Sequence, residues 1–264
     1  MNVKERFLGE AAGLLISVLI AVAISFVGAE ARAASSTCGP TAPENFFVGV
    51  KQVDPPGVGL QSDGIQANIE ARSPDLCSTV TPRFEVQSPQ IYRSNGTGWA
   101  QIGVLKDLNF SHLVFFWQWV KDATAGPSHS GVWGQPDLLT KYNFKVTRLA
   151  ADGHLHMLYL NPDVTPDCKD GFCPHTDFDP HVEWNDNFAS VFSEVNRPGS
   201  DAAGQAGSKA DYTAILIRPT GGNWQDPVAW TPDNDRTCYF NRETVHAFTN
   251  FVTYTNPIAH GTSC

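Results

Sequence analysis

Short runs of alternating apolar and polar residues follow one another along most of the chain. Such runs predict β-strands, because every second side chain of a strand points to the same face. The six clearest runs cover residues 99–105, 112–120, 142–149, 154–160, 188–195 and 211–218, and two weaker ones lie at Gln66–Arg72 and Arg83–Gln87. Many short strands separated by turns predict an all-β sandwich or barrel rather than a parallel α/β sheet.

Turn residues and the segments between the predicted strands indicate how the strands are connected and where the domain begins. Asp152-Gly153 is typical of a tight hairpin, so residues 142–149 and 154–160 should pair. Helical periodicity is nearly absent, and only Asn241–Phe248 could form a short helix. We expect residues 34–90 to be an irregular N-terminal region with a few strands, because residues 34–60 are rich in Pro, Gly and Ser around one apolar run. This region should form a single globular unit with a β-sandwich domain over residues 91–264.

The first 33 residues have the pattern of a secretory signal peptide. Lys4 and Arg6 precede an apolar run, Ala11–Val27, and Ala31-Arg32-Ala33 follows as a small-residue cleavage signal. We therefore predict a signal peptide over residues 1–33 and a secreted mature protein. An uncleaved N-terminal anchor is the alternative.

Composition and charge narrow the range of partners. Removing residues 1–33 takes away three basic and three acidic residues, so the formal net charge stays at −9. An acidic domain without a basic patch argues against nucleic acid and against anionic membrane surfaces. We expect a monomer that has no membrane contact after signal cleavage and that binds a polypeptide or a polysaccharide.

Six cysteines follow the predicted signal peptide, and an even number in an exported chain indicates disulfide bonds. The sequence alone permits fifteen pairings. Pairing in chain order joins Cys38 to Cys77, Cys168 to Cys173 and Cys238 to Cys264. A zinc site is the alternative, but the nearby histidines lack the spacing of a zinc finger.

Two of the predicted strands carry polar residues that could form a site. Trp99–Val104 has one apolar face, and its other face carries Gln101 with Gly103, which would leave the approach to the carboxamide open. A glutamine both donates and accepts hydrogen bonds without changing charge, which suits it to hold a polar ligand or an oxyanion. The strand Phe188–Val195 places Glu194 on one face. Unless Gln101 and Glu194 face each other in the fold, both are ordinary polar residues on half-exposed strands.

The strand at residues 112–120 carries large rings on both faces. Phe115, Trp117 and Trp119 share one face, which we predict to be core, while Phe116 and Gln118 share the other. Aromatic rings in a sandwich are usually core, although rings that line a groove can bind a sugar or a peptide.

Other chemistries have weaker support. The chain has no G-x-S-x-G nucleophile motif, which argues against Ser-His-Asp catalysis. It also has no Gly-rich phosphate loop before a helix, and we predict no cofactor. His175–Glu183 alternates His, Asp and Glu and could hold a cation, as could His154 with His156, but we predict no metal. Because Pro174 and Pro180 oppose regular pairing, we expect His175–Glu183 to be a solvated loop over one end of the groove.

The order of these motifs resembles a known family. Trp99-Ala-Gln101-Ile-Gly-Val104 resembles the Q-T-G-V strand of the fungal glutamic peptidases, the eqolisins, and Phe116-Trp-Gln118-Trp119 resembles their Y-E-W strand. Phe188–Val195 and Asp211–Leu216 are similar, in the same order, to the strand of the catalytic glutamate and a later strand. The order is also similar to that of plant neprosin-type peptidases and of secreted bacterial proteins of unknown role. The resemblance covers roughly residues 98–220.

The resemblance implies a concanavalin-like jelly-roll sandwich of two mainly antiparallel sheets. It implies that Gln101 and Glu194 are the catalytic pair and that Phe116 and Gln118 contact the substrate. Glu194 would take a proton from water and return it to the leaving amine, while Gln101 stabilises the oxyanion. The chain departs from the family at Gln118, where a glutamate is typical, and in the stretch after Glu194.

Three functions therefore stay open. The first is a secreted glutamic-peptidase-like hydrolase. The second is a non-catalytic secreted module that binds carbohydrate or peptide in an aromatic groove. The third is a structural secreted protein without a small-ligand site. The distance between Gln101 and Glu194 separates the first from the other two, because a catalytic pair must share one water molecule.

Overall fold

The computed structural model describes residues 45–53, 61–76, 84–122, 128–149, 153–160, 173–178, 184, 187–196, 203–205, 208–234, 240–246 and 248–255. All of them belong to the unit Thr37–Cys264. This part of the chain contains no helix. Its strands are β1 Asn45–Gln52, β2 Ser62–Glu70, β3 Phe84–Arg93, β4 Trp99–Asp107, β5 Val114–Val120, β6 Ser128–Trp133, β7 Lys141–Arg148, β8 Leu155–Leu160, β9 Cys173–Phe178, β10 Asn187–Asn196, β11 Gly204–Gln205, β12 Ser208–Pro219, β13 Trp230–Asn234, β14 Phe240–His246 and β15 Asn250–Thr255.

These strands form two sheets. The seven-stranded sheet has the order β13-β1-β10-β3-β4-β5-β6, and every neighbouring pair in it is antiparallel. The eight-stranded sheet has the order β14-β15-β11-β12-β2-β7-β8-β9, with one short parallel pairing between β11 and β15. The predicted all-β fold with two mainly antiparallel sheets is therefore confirmed.

One apolar cluster joins the inner faces of the two sheets. Ile102 of β4 and Val191 of β10 belong to it on one sheet, and Ile65 of β2 and Phe144 of β7 belong to it on the other. Each of these side chains is fully buried. Alternation along each strand then leaves the second face of the seven-stranded sheet turned away from this core, and we call it the outer face.

The six clearest strand predictions correspond to β4, β5, β7, β8, β10 and β12. The predicted hairpin is also present, because β7 and β8 pair antiparallel from Arg148 opposite Leu155 onwards. Gly153 in the turn has a φ of 76°, a conformation that glycine adopts without strain. Phe115 lies in the core cluster and Trp117 and Trp119 pack against it, so the core prediction for this face is confirmed.

One local prediction was wrong. The segment proposed as a short helix, Asn241–Phe248, lies largely in β14, which pairs with β15. There the pairing with the neighbouring strand outweighs the weak local signal. The apolar run within residues 34–60 forms β1, which lies between β10 and β13.

The segment that begins at Cys173 also differs from its prediction. Cys173–Phe178 is not a loop but the strand β9, which pairs with β8 at one edge of the eight-stranded sheet. Pro174 is tolerated there because an edge strand needs ladder donors on one side only. The strand belongs to the sheet that does not carry Gln101, so it is not the predicted cover of the groove. Residues 179–183 lie outside the described part.

Several predictions concern residues outside the described part. The signal peptide over residues 1–33 is one of them. The same holds for Cys38, Cys77, Cys168, Cys238 and Cys264 and for the side chain of Cys173, so the disulfide pairing stays a prediction. In the ranges that are described, no helix has the length and apolar character needed to span a bilayer.

Candidate functional site

A row of uncharged polar residues crosses five neighbouring strands on the outer face of the seven-stranded sheet. Residues directly opposite each other in antiparallel strands share a face, so the pairing register defines the row. Its members, which we call the amide row, are Ser190 of β10, Gln90 of β3, Gln101 of β4, Gln118 of β5 and Ser130 of β6. Three carboxamides thus lie side by side between two hydroxyls.

Hydrogen bonds fix the orientation of the central amides. The hydroxyl of Ser88 donates to Oε1 of Gln101 at 3.0 Å, and Nε2 of Gln101 donates to Oε1 of Gln118 at 2.8 Å. The indole Nε1 of Trp99 also donates to Oε1 of Gln118, at 3.2 Å. Because an indole can only donate, the Gln118 oxygen must face Trp99. Its Nε2 group has no acceptor among the described residues, so the row offers N–H donors to a ligand.

Glu194 lies on the same face but not in the same row. On β10 it is four residues from Ser190, and it lies opposite Phe47 of β1 and Val86 of β3. Phe192 lies between Glu194 and Ser190 along the strand, and its ring contacts that of Phe47 edge-on at 5.1 Å. Glu194 is therefore surrounded by apolar side chains and is only 7% exposed.

The surroundings of Glu194 change its acidity. Burial raises the pKa of its carboxyl from 4.5 to about 7, and a hydrogen bond from Asn45 partly opposes this. Nδ2 of Asn45 donates to Oε1 of Glu194, and Oδ1 of Asn45 accepts from Nδ2 of Asn196 at 2.7 Å. The carboxyl therefore titrates near neutral pH, where a small change in its surroundings alters its charge.

The register separates Gln101 from Glu194. They are two strands apart, or about 10 Å, and four residues apart along the strands, or about 13 Å, which places their Cα atoms roughly 16 Å apart. The amide of Gln101 is held by Ser88 and by Gln118, and Gln118 lies one strand farther from β10. The two side chains share a face but are not positioned to share one water molecule. The residue of β10 in the same row as Gln101 is Ser190.

One groove runs along the outer face from the amide row to Glu194. Its volume is about 500 Å³, and Gln101, Gln118 and Glu194 all line it. Tyr92 and Trp99 border the amide end. Between the two ends, the floor is formed by Phe47, Phe84, Val86, Leu105 and Phe116, which pack in one apolar cluster with Phe192. The structure thus joins an amide end and a carboxyl end by an apolar floor.

The groove carries charge of one sign only. Among the described residues that line it, Glu194 and Asp107 are acidic and there is no Lys, Arg or His. Asp107 already accepts from the backbone N–H and the side chain of Asn109, both at 2.7 Å. In the described part of the chain, no three His, Cys, Asp or Glu side chains are grouped to hold a metal ion.

Gly103 does not leave open space beside Gln101, contrary to the sequence-based expectation. A Cβ atom at this position would clash with the backbone oxygen of Gln87 and lie 3.0 Å from Cβ of Ser88. Pairing of β3 with β4 is interrupted between Gln87 and Gln90, where Pro89 lacks an N–H to donate. The glycine therefore accommodates a close approach of the β3 backbone, not a ligand.

The sequence identified part of this site. Gln101, Gln118 and Phe116 line the groove together with Glu194, but their proposed roles in catalysis and substrate binding stay predictions. Ser88, Gln90 and Asn45 were missed. The alternation of Ser88, Gln90 and Tyr92 was a possible signal, but Pro89 argues against a central strand when the sequence is considered alone.

Comparison with known proteins identifies the fold. No protein-family model matches the sequence, and no curated protein matches it. Two crystal structures of scytalido-glutamic peptidase match the structure with a TM-score of 0.51. One contains a peptide-based transition-state analogue and is 11% identical; the other contains a transition-state analogue inhibitor and is 10% identical. Each match covers 81% of this chain and 100% of the peptidase. The chain therefore has a glutamic-peptidase-like fold, as the resemblance predicted.

Proposed function

We propose that the outer-face groove binds an extended segment of polypeptide and holds it without cleaving it. The observation that carries this proposal is the composition of the amide row. Opposite Gln101, two strands away on β10, the row has the hydroxyl of Ser190 and no carboxylate. Ser190 donates its proton to Oε1 of Gln90 at 3.3 Å. The row can therefore donate hydrogen bonds to a ligand, but it has no base to activate water.

The chemistry of the row fits a peptide backbone. The free N–H groups of its amides suit carbonyl oxygens, which an extended peptide presents at regular intervals. The rings of Tyr92 and Trp99 beside the row offer apolar contact with a polar edge. The likeness in fold to a peptidase that binds a peptide-based analogue adds support. A saccharide, which also has many acceptors, is the competing ligand class that the test must separate.

A hydrolase that uses Glu194 is the second candidate. It is favoured by one observation: a buried carboxyl with a pKa of about 7 lines the same groove. Such a group could take a proton from water and return it to a leaving amine. The separation of roughly 16 Å from Gln101 means that another donor would have to stabilise the oxyanion. The predicted Gln101–Glu194 pair therefore supports this candidate only weakly.

A binding experiment tests the main proposal. Labelled, end-blocked nonapeptides and linear hexasaccharides are titrated with the protein, and fluorescence anisotropy measures the affinity. Peptides should bind saturably, and Gln118→Ala should weaken binding roughly 3- to 10-fold, because a net hydrogen bond contributes about 0.5–1.5 kcal/mol. Gln66→Ala, on the eight-stranded sheet, is the matched control and should change nothing. Binding of saccharides but not of peptides would contradict the proposal.

We also infer that the mature protein is secreted and that its disulfides form outside the cytoplasm. The support is the signal-like pattern over residues 1–33 and the even number of cysteines that follow it. N-terminal sequencing of the exported protein should begin at Ala34. A mature protein that still contains Ala11–Val27 would instead indicate the N-terminal anchor.

A further inference from the structure

We infer that the Glu194 end of the groove selects a basic side chain of the bound peptide, about four residues from the backbone group that the amide row holds. This inference rests on the proposed peptide binding and adds its specificity. It follows from the charges of the groove, the unused oxygen atom at its carboxyl end and the distance between its two ends.

The charge of the groove favours a cation at this end. Glu194 and Asp107 are the charged side chains among its described lining residues, and both are acidic. Asp107 is engaged by Asn109, whereas among the described residues Glu194 accepts one hydrogen bond, from Asn45. A peptide with a positive charge at this end would pair with Glu194 without meeting a like charge.

An unused acceptor lies at the same position. The second oxygen of Glu194, Oε2, has no hydrogen-bond partner among the described residues, and Glu194 lines the groove. A lysine ammonium has three donors and no acceptor, so it can bond to this oxygen and retain donors for solvent. A buried carboxyl with an unused oxygen atom therefore favours a cationic group.

The walls at this end suit the hydrocarbon part of a long basic side chain. Phe47, Val86 and Phe192 surround Glu194 on the outer face. The methylene stem of lysine packs against apolar surface while its ammonium reaches a polar partner. The site therefore selects a side chain that has a positive charge at its end and an apolar stem.

The spacing links this position to the amide row. Glu194 is four residues from Ser190 along β10, or about 13 Å. In an extended peptide that runs along the groove, residues i and i+4 are separated by the same distance and point to the same side. Along the strand direction, a backbone group at the amide row and a basic side chain four residues away therefore match the spacing between the row and Glu194. The long side chains of Gln101 and of the bound lysine span the sideways offset of about 10 Å between β4 and β10.

A set of three peptides tests the inference. End-blocked nonapeptides of Ser and Ala carry Lys, norleucine or Glu at the central position, so that four residues extend on either side whichever direction the peptide takes. At pH 8.5 the Lys peptide should bind wild type at least about tenfold more tightly than the norleucine peptide, because a hydrogen bond between two charged groups contributes more than one between neutral groups. The Glu peptide should bind more weakly than either.

Two further measurements link the preference to Glu194. In Glu194→Gln the preference for Lys over norleucine should fall below about twofold, whereas Glu243→Gln, which changes the net charge equally on the other sheet, should keep it. In wild type the preference should also fall between pH 8.5 and pH 5.5 as the carboxylate takes up a proton, and this profile needs no variant.

The outcomes are distinguishable from those of the proposed function. Equal affinity of wild type for the Lys and norleucine peptides at pH 8.5 would overturn the inference and leave peptide binding intact. A Lys preference that persists unchanged in Glu194→Gln and at pH 5.5 would also overturn it. Failure of all three peptides to bind would overturn the proposed function, and the inference with it.

Discussion

Glu85 carries a fully buried carboxyl group. It lies on the inner face of β3 with no exposed surface, and it accepts hydrogen bonds from Ser193 and, at 3.0 Å, from Nε2 of Gln87. Burial raises the pKa of its carboxyl to about 8, despite these hydrogen bonds. Glu85 is therefore largely protonated at neutral pH, and so in part is Glu194, on the opposite face of the same sheet.

These two carboxyls make stability depend on pH. A group whose pKa is raised by folding contributes stability that is fully present below its unfolded pKa and is lost as pH rises through the folded value. The free energy of unfolding should therefore fall between pH 4.5 and about 8 for Glu85 and between pH 4.5 and about 7 for Glu194. Each carboxyl accounts for at most about 1.4 kcal/mol per pH unit. Urea denaturation across this range measures the slope.

One variant shows which carboxyl causes the fall in the free energy of unfolding with pH. Glu85→Gln should flatten the fall in stability between pH 4.5 and 8, because it removes the carboxyl that takes up a proton on folding. The exposed Glu243, whose pKa is lowered by its hydrogen bond with Lys209, provides the control. Glu243→Gln should keep the wild-type slope between pH 6 and 8. An unchanged slope in Glu85→Gln would show that another group causes it.

At the residue scale, sequence reasoning identified the side chains but not their distances. Alternation along one strand predicted that Gln101 points away from the core and that Glu194 shares a face with Ser190. Whether Ser190 or Glu194 lies in the row of Gln101 depends on the pairing of β10 with β3 and of β3 with β4. A slip of two residues keeps every side chain on its face, so the polar pattern alone cannot decide the register.

At the element scale, the contact between β3 and β4 explains the Gln-Ile-Gly sequence of β4. Pro89 lies in a central strand, and the ladder between β3 and β4 is interrupted beside it. The backbone of Gln87 approaches Gly103 so closely that no side chain fits between them. The sequence predicted β3 only as far as Gln87, because a proline usually marks the end or the edge of a strand.

The close approach of β3 to Gly103 predicts that adding one methyl group at this position destabilises the protein. Gly103→Ala should lower the free energy of unfolding by about 1–3 kcal/mol, because the added methyl group meets the rigid backbone of β3. Urea denaturation measures the change. Gly222→Ala is the control and should be nearly neutral, since a Cβ there meets its nearest atom, the backbone oxygen of Pro219, at 3.3 Å. Equal stability of Gly103→Ala and wild type would contradict the close approach.

At the scale of the whole molecule, the sequence predicted the sandwich and its class correctly. Alternating runs determine the strands, and an all-β chain of this length has few alternative architectures. The order of strands was not predictable from the residues, because β1 and β3 come early in the chain yet both pair with β10, and β2 pairs with β12. Long-range pairings of this kind carry little local signal.

The disulfide prediction also belongs to this scale. Mass spectrometry of the non-reduced, exported protein should find Cys168 linked to Cys173, Cys38 to Cys77 and Cys238 to Cys264. The loop between Cys168 and Cys173 is the shortest, so its closure should stabilise least, by roughly 2 kcal/mol in the chain-entropy model. A link from Cys168 or Cys173 to any other cysteine would contradict the chain-order pairing.

We propose that the groove binds a peptide and leaves it intact, because Ser190 rather than a carboxylate lies in the row of Gln101. The most direct test incubates the wild-type protein with the labelled Lys nonapeptide from pH 3 to pH 8. Anisotropy then measures the bound fraction, and mass spectrometry measures the length of the recovered peptide. We expect saturable binding and a full-length peptide at every pH. Peptide fragments that wild type produces and Glu194→Gln does not would contradict this proposal.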